Sequence, residues 1–593
     1  MSKLSEEIED ADFRVAPPAE QLEDSESQPL RTLSQDASEE VVQDFAASHG
    51  LTHELDVLQK AAALLQEDVV LEHTPGVSPS ELRALRREIT HKWQQPRTLY
   101  FTIFVCSLGA IEQGWAQTGM NGANLYLPAS LGIDLGSTHD SFVLGLINSG
   151  IYLANAILGS WLAEPVNNRI GRKGAIFSAI ALCLVGNLGS ALSWSWPVLL
   201  IFRIILGTGL GLNASTVSVF AVESAPAYIR GGLAVSWQMF TAFGIFLGFL
   251  ANVTFYDYGP DVVWRLQLAA PLIPTIPLLM AIWLCPESPA WHIKRGRYDL
   301  AFASLSQLRN TKLQAACELY ANFLSQRRHS KTLGSSPQSY LGKLTSLFTV
   351  ARNRHAVLAS YTVMLSQQLC GINIIAFYSS SIFESSGFSA LAALWASVVF
   401  GLVNFLGAFP AIFTMDKFGR RRLLLWTLPF MALVMAFASL TFSLPKGTAQ
   451  LIILAGLIYL FCALYSPGVG PVPVPYSAEI YPSAVREVGM ALAISTASTW
   501  ATILSVTFPS LLAGLGEQRS FGLYAALNVL AWFLCWTFVR ETKAVELERM
   551  DMVFTSSPSS FVADQWSEGP KTWISRRRRG EGWQEVRQED APG

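Results

Sequence analysis

The chain has 593 residues, 51% of them hydrophobic and only 15% charged, with a formal net charge of -3. A soluble enzyme of this length rarely shows such values, which exclude an ordinary aqueous globule and place the chain in a membrane. A net charge this small gives no reason to expect a nucleic-acid partner.

Residues 1–99 are acidic and rich in Ser, Glu and Gln up to about Glu40. They then show a helical apolar pattern through Leu51, Leu55, Leu58, Leu64 and Leu65, and end in a basic stretch from Arg83 to Arg97. The start has neither a basic n-region nor an apolar h-region, so it is read as a partly disordered cytoplasmic tail rather than a signal peptide. Twelve apolar stretches follow, predicted at 100–120, 141–163, 174–194, 197–220, 232–254, 266–285, 356–382, 391–415, 422–443, 450–476, 487–513 and 519–539. Each reaches the roughly 20 residues that a helix needs to cross the hydrocarbon core. The predicted organisation is a six-helix bundle over 100–285, a charged helical linker over 286–355, a second six-helix bundle over 356–539 and a tail over 540–593.

Basic residues crowd the connections after the second span (Arg169, Arg172, Lys173), in the linker, and after the eighth span (Lys417, Arg420, Arg421, Arg422). The opposite connections offer only Arg265, Lys446 and Arg519, so both termini and the linker are expected in the cytoplasm, with the plasma membrane the expected bilayer. The run Arg576 to Arg579 in the last tail reads as a solvated charge run rather than a lipid contact. Six of the seven cysteines lie in or beside apolar spans without ligand spacing, and no metal or cofactor is expected.

Two motifs occur twice. The second span ends in Glu164-Pro165-Val166-Asn167-Asn168-Arg169-Ile170-Gly171-Arg172-Lys173, and the eighth in Asp416-Lys417-Phe418-Gly419-Arg420-Arg421-Arg422. The connection Glu223 to Gly231 is echoed by Glu479 to Glu487. Repetition at corresponding places is the mark of a carrier built from two related bundles.

With these turns, Arg203 with Gly207, Gly209 and Gly211, the segment Pro286-Glu287-Ser288-Pro289, and Gln367-Gln368-Leu369-Cys370-Gly371-Ile372-Asn373, the chain resembles the sugar porter family of the major facilitator superfamily from Thr98 to Thr542. The segment Gln113 to Asn124 is similar to a fungal branch. The resemblance implies an all-α membrane protein with the major facilitator fold, twelve transmembrane helices in two six-helix bundles. It is implied to be a monomeric carrier rather than an enzyme, moving a small sugar or polyol through the lipid bilayer by alternating access, with or without a proton.

Charges so near a bilayer need partners, and acid–arginine pairs at helix ends would hold the two bundles together on one face. The resemblance implies Arg172 against Glu223, Arg420 against Glu479 and Arg230 against Glu287. Ala290 stands where the family has a further Arg.

Sugar hydroxyls leaving water need replacement hydrogen bonds. Gln367, Gln368 and Asn373 supply amides in an otherwise apolar span, read as one continuous helix whose face carries 367, 371 and 374. The resemblance assigns these three to the sugar site together with Gln238, with Phe377 and Val474 at further pocket positions. Ile245 replaces a usual Gln, Val474 a usual aromatic and Phe377 a frequent Tyr, so the pocket is less polar and less aromatic than is common in the family.

Proton-coupled relatives carry an Asp at the position of Ala116, close to Arg203. Ala116 cannot titrate, while Glu112 lies one helical turn away, about 6 Å along the axis. Glu112 is expected either to pair with Arg203 as a relocated proton site or to face a polar vestibule as a bystander. Two alternatives stand beside the carrier: a transport-deficient sugar sensor signalling through its tails, and a porter of a hydroxylated acid, for which Arg203 is the only evident pocket cation.

Overall fold

The computed structural model describes residues 39–65, 77–91, 93–133, 137–226, 229–333, 339–445, 447–482, 484–543, 553–554 and 561–562. Three helices precede the first span: α1 (Glu39–Ser48), α2 (Leu55–Leu64) and α3 (Pro79–Thr90). The first bundle is built from α4 (Arg97–Ala123), α5 (Thr138–Ala154), α6 (Ser160–Ala191), α7 (Trp196–Ser224), α8 (Arg230–Thr254), α9 (Pro260–Ala269) and α10 (Leu272–Ala281). The linker contributes α11 (Pro289–Lys294), α12 (Tyr298–Leu308), α13 (Lys312–Leu333) and α14 (Tyr340–Thr349). The second bundle contains α15 (Ala351–Leu369), α16 (Ile372–Ser385), α17 (Ala390–Phe418), α18 (Arg420–Thr441), α19 (Thr448–Tyr465), α20 (Pro473–Ile480) and α21 (Arg486–Phe538).

Eight helical segments among the described residues are long and apolar enough to cross a membrane. Two of them, His139–Ala191 and Arg486–Phe538, run 53 residues each and hold two crossings apiece, turning at Gly171 (φ 81) and Gly516 (φ 76). The two expected spans outside this set are the polar ones. Helix α4 carries the buried Glu112 and Asn121, and the seventh span is split into helices of 19 and 14 residues.

That split corrects the sequence reading of one continuous helix. Gly371 stands at φ 90, a conformation that side-chain-bearing residues adopt only at a cost, and a Cβ there would meet Tyr524 at 2.9 Å. The tenth span is likewise broken between Tyr465 and Pro473, where Pro467 and Pro471 supply no amide hydrogen to continue a ladder.

The bundles touch at both ends. On the linker side, Ser495 of α21 donates to the Ala156 carbonyl at 2.7 Å. Towards the opposite side, Asn121 of α4 donates to the Ala376 carbonyl and Ser379 of α16, each at 3.0 Å. Between these, one buried apolar cluster runs from Tyr152 and Leu206 of the first bundle into Phe377 and Phe400 of the second.

The apolar pattern seen before the first span folds onto the linker. Val42, Phe45, Leu51, Leu58 and Ala61 bury themselves against Tyr298, Phe302, Leu305, Leu319 and Tyr320 of α12 and α13. The stretch beyond Arg83 forms α3, opened by a capping box in which the Ser78 amide donates to Glu81 at 2.8 Å. The run Arg576 to Arg579 lies outside the described residues.

Candidate functional site

The charged turns form two matching cradles on the linker side. Arg172, 1% exposed, grips Glu223 through Nε at 3.0 Å and Nη2 at 2.8 Å. Ser288 also donates to Glu223. Glu287 accepts from the amides of Arg172 at 3.0 Å and Ser288 at 2.9 Å. Burial raises the Glu287 carboxyl above its usual range, while the Ser288, Lys173 and Arg172 amides oppose the shift.

The second half repeats this with its own residues. Arg420 Nη2 meets Glu479 at 2.8 Å, Thr542 donates to Glu479 at 2.9 Å, and Glu541 accepts from the Arg420 amide at 2.9 Å. Glu541-Thr542 thus plays the part of Glu287-Ser288. Gly171 and Gly419, at φ 81 and φ 91, bring the backbone so close that a Cβ would stand 2.5 Å from Glu287 and 2.6 Å from Glu541.

An ion pair also crosses between the bundles. Arg172 Nη2 lies 2.9 Å from Glu487 at the start of α21, and Lys294 approaches the same carboxylate at 3.5 Å. Lys343 of the linker pairs with Glu164 at 2.7 Å. Arg230, expected beside Glu287, has its side chain outside the described residues.

The break at Gly371 brings the amides together from two half-helices, not from one face. Asn373 Nδ2 donates to Gln368 Oε1 at 2.5 Å, Gln368 to Gln367 Oε1 at 3.3 Å, and Gln367 to the Gly470 carbonyl at 2.9 Å. The chain therefore ties both broken spans to one another. Phe377, one turn beyond Asn373, is buried with its ring centroid 5.2 Å from that of Tyr152 in the first bundle. Val474 is half-buried on α20. Gln238 is half-buried on α8 and makes no hydrogen bond with the amide chain.

Glu112 is wholly buried and accepts from Asn187 at 3.4 Å, with Cys183 and Thr275 as further neighbours. No ion pair joins it to Arg203 and, with no exposed surface, it faces no open vestibule, so both expected placements are corrected. The shared helical face did not bring them together because Glu112 turns into the packing of α4, α6 and α10.

Sequence reasoning missed Glu487, Glu541 and Lys343. The order Arg540-Glu541-Thr542 after the twelfth span mirrors Pro286-Glu287-Ser288 after the sixth, and that repeat was the available signal.

Two six-helix bundles, paired charged cradles at matching helix ends and an amide chain at a broken helix define a two-bundle membrane carrier of the major facilitator fold. The family profile described as "Sugar (and other) transporter" matches residues 101–554, and the chain belongs to that family. It is 29% identical over 476 residues to the myo-inositol transporter FST1 of Gibberella moniliformis, covering 79% of this chain and 81% of that protein. It is 32% identical over 403 residues to the galactose-proton symporter of Escherichia coli, covering 67% and 82%. Among solved structures, the proton:xylose symporter XylE bound to 6-bromo-6-deoxy-D-glucose superposes with TM-score 0.65 at 25% identity, covering 77% of this chain and 99% of that one.

Proposed function

We propose that the chain moves a sugar or polyol across the plasma membrane by alternating access, with the linker and both termini in the cytoplasm. The observation that carries this is the amide chain Asn373–Gln368–Gln367–Gly470, a set of polar groups in two interrupted apolar spans, one helical turn from Phe377, which packs against Tyr152 of the first bundle. Hydroxyls of a solute replace water there, and specificity follows from leaving buried amides unmatched when a hydroxyl is missing. The relatives named as carriers of myo-inositol, galactose and xylose support the solute class. Arg172, paired with both Glu223 and Glu487, ties the cytoplasmic ends of the two bundles together while the opposite end opens, and Arg420, Glu479 and Glu541 brace the second bundle at the same level. Arg203 has no first-span carboxylate beside it, which supports facilitated passage rather than proton coupling.

The test is uptake of labelled hexoses, pentoses, polyols and hydroxylated acids by transporter-null cells expressing the chain, with and without a protonophore. Saturable uptake of at least one solute, insensitive to the protonophore, is the expected result. No uptake by cells that display the protein at their surface contradicts the carrier reading and favours a sensor.

A further inference from the structure

Arg203 is 1% exposed and lies beside α5, where a Cβ at Gly150 would come 3.3 Å from Arg203 Cβ. Unlike Arg172 and Arg420, it forms no ion pair with a carboxylate among the described residues, and its Nε is buried without a hydrogen-bond partner. Tyr152 follows Gly150 by two residues on the same helix α5, and the Tyr152 hydroxyl is also buried and unpartnered. Ala116, buried in the same apolar cluster as Tyr152 and Leu206, supplies no charge. A buried guanidinium without a counter-charge is strongly unfavourable, and each unmatched buried polar group calls for a partner.

The location specifies that partner. The Tyr152 ring is 5.2 Å from Phe377, and Phe377 lies four residues beyond Asn373 on α16, about 6 Å along the helix axis. The Tyr152 ring therefore packs against the same helix that carries Asn373, with Arg203 on the neighbouring α7. A planar guanidinium matches a carboxylate through two parallel hydrogen bonds, and the phenol can donate a third.

We propose that Arg203 and Tyr152 bind the carboxylate of a polyhydroxylated acid, an aldonate or uronate, whose hydroxyls rest against Gln367, Gln368 and Asn373. The inference rests on reading the amide chain as the solute site. Free chloride is the other source of an anion for these two donors.

Purified full-length protein in nanodiscs, in chloride-free buffer, is titrated with gluconate, galacturonate, chloride and a neutral panel of myo-inositol, D-xylose and D-galactose, followed by intrinsic tryptophan fluorescence. One of the two acids is expected to bind about tenfold or more tighter than any neutral solute, the scale of one charge-assisted pair. Arg203→Gln is expected to remove that excess. Ala116→Asp, which places an internal carboxylate in the same cluster, is expected to lower acid affinity about tenfold or more and leave neutral binding in place. If Arg203→Gln does not fold, Ala116→Asp decides. Neutral binding without an acid preference, an acid preference that survives Ala116→Asp, or a response to chloride alone overturns the inference and leaves the proposed function standing. Absence of binding by every solute overturns both.

Discussion

Arg172 and Glu487 meet across the two bundles at 2.9 Å, while the same guanidinium group holds Glu223 of its own bundle at 2.8 Å. In the repeat, Gly231 stands at the position that corresponds to Glu487, so the first half supplies no acid from that position. Arg420 has its carboxylate, Glu479, within its own bundle.

The two arginines therefore separate in their effects. Arg172→Ala should open the linker side and weaken the closed form by about 3 to 5 kcal/mol, since both its acids lose a buried partner. Arg420→Ala should lower stability on a similar scale without opening. The readout is thiol labelling, from the linker side, of a cysteine placed at Ser495, together with thermal unfolding. Equal labelling in the two variants would remove the cross-bundle role of Arg172.

Gly171→Ala and Gly419→Ala should each destabilise the protein by about 1 to 3 kcal/mol, because the positive φ is strained for alanine and the added methyl collides with Glu287 or Glu541. Thermal unfolding in detergent measures the loss, and an unchanged midpoint would show that the cradles relax freely.

The docking of α1 to α3 on the linker should depend on pH through Glu88. Burial is the main influence and raises its carboxyl above the ordinary range, with Arg309 opposing. A carboxyl raised on docking favours the docked state when protonated, so docking should strengthen as pH falls through the raised value and weaken above it. Glu88→Gln should strengthen docking at neutral pH and flatten the profile, because the amide oxygen can still accept from Gln314, now 2.8 Å away. Phe45→Ala, in the buried aromatic cluster, should weaken docking by about 3 to 5 kcal/mol. Hydrogen exchange across 39–64 and 79–90 checks both, and identical protection in wild type and Phe45→Ala would contradict the docking.

Glu112→Gln should leave solute uptake within about twofold of wild type. The carboxylate lies against Asn187, not Arg203, and the amide can still accept that hydrogen bond. Loss of accumulation in this variant, measured as the inside-to-outside solute ratio, would make Glu112 a proton site after all.

Local pattern accounts for what the sequence made legible. Apolar length, the two glycine–arginine turns, the acids Glu223 and Glu479 and the amides at 367, 368 and 373 are all written in short stretches of chain. Glu487 was not legible as the partner of Arg172 because their pairing spans 315 positions and depends on how two bundles close. The same holds for α1 and α2, whose apolar face was visible while its receptor on α12 and α13 was not. The break at Gly371 was misread for a different reason: a glycine inside an apolar run is compatible with a continuous helix, and the crowding of Tyr524 and Met435 that accompanies the positive φ exists only in three dimensions.

The central claim, that the amide chain at the broken seventh span holds the travelling solute, is tested most directly by equilibrium exchange in proteoliposomes. Exchange of the best solute from the uptake panel is compared between wild type and Gln368→Ala at several concentrations. Removing Gln368 leaves Asn373 and Gln367 without a shared partner, and the half-saturation concentration should rise by about 5- to 150-fold, the equivalent of roughly 1 to 3 kcal/mol, in protein that folds and inserts normally. Unchanged half-saturation in well-folded Gln368→Ala would contradict the account, leaving the amides as ties between the two broken helices.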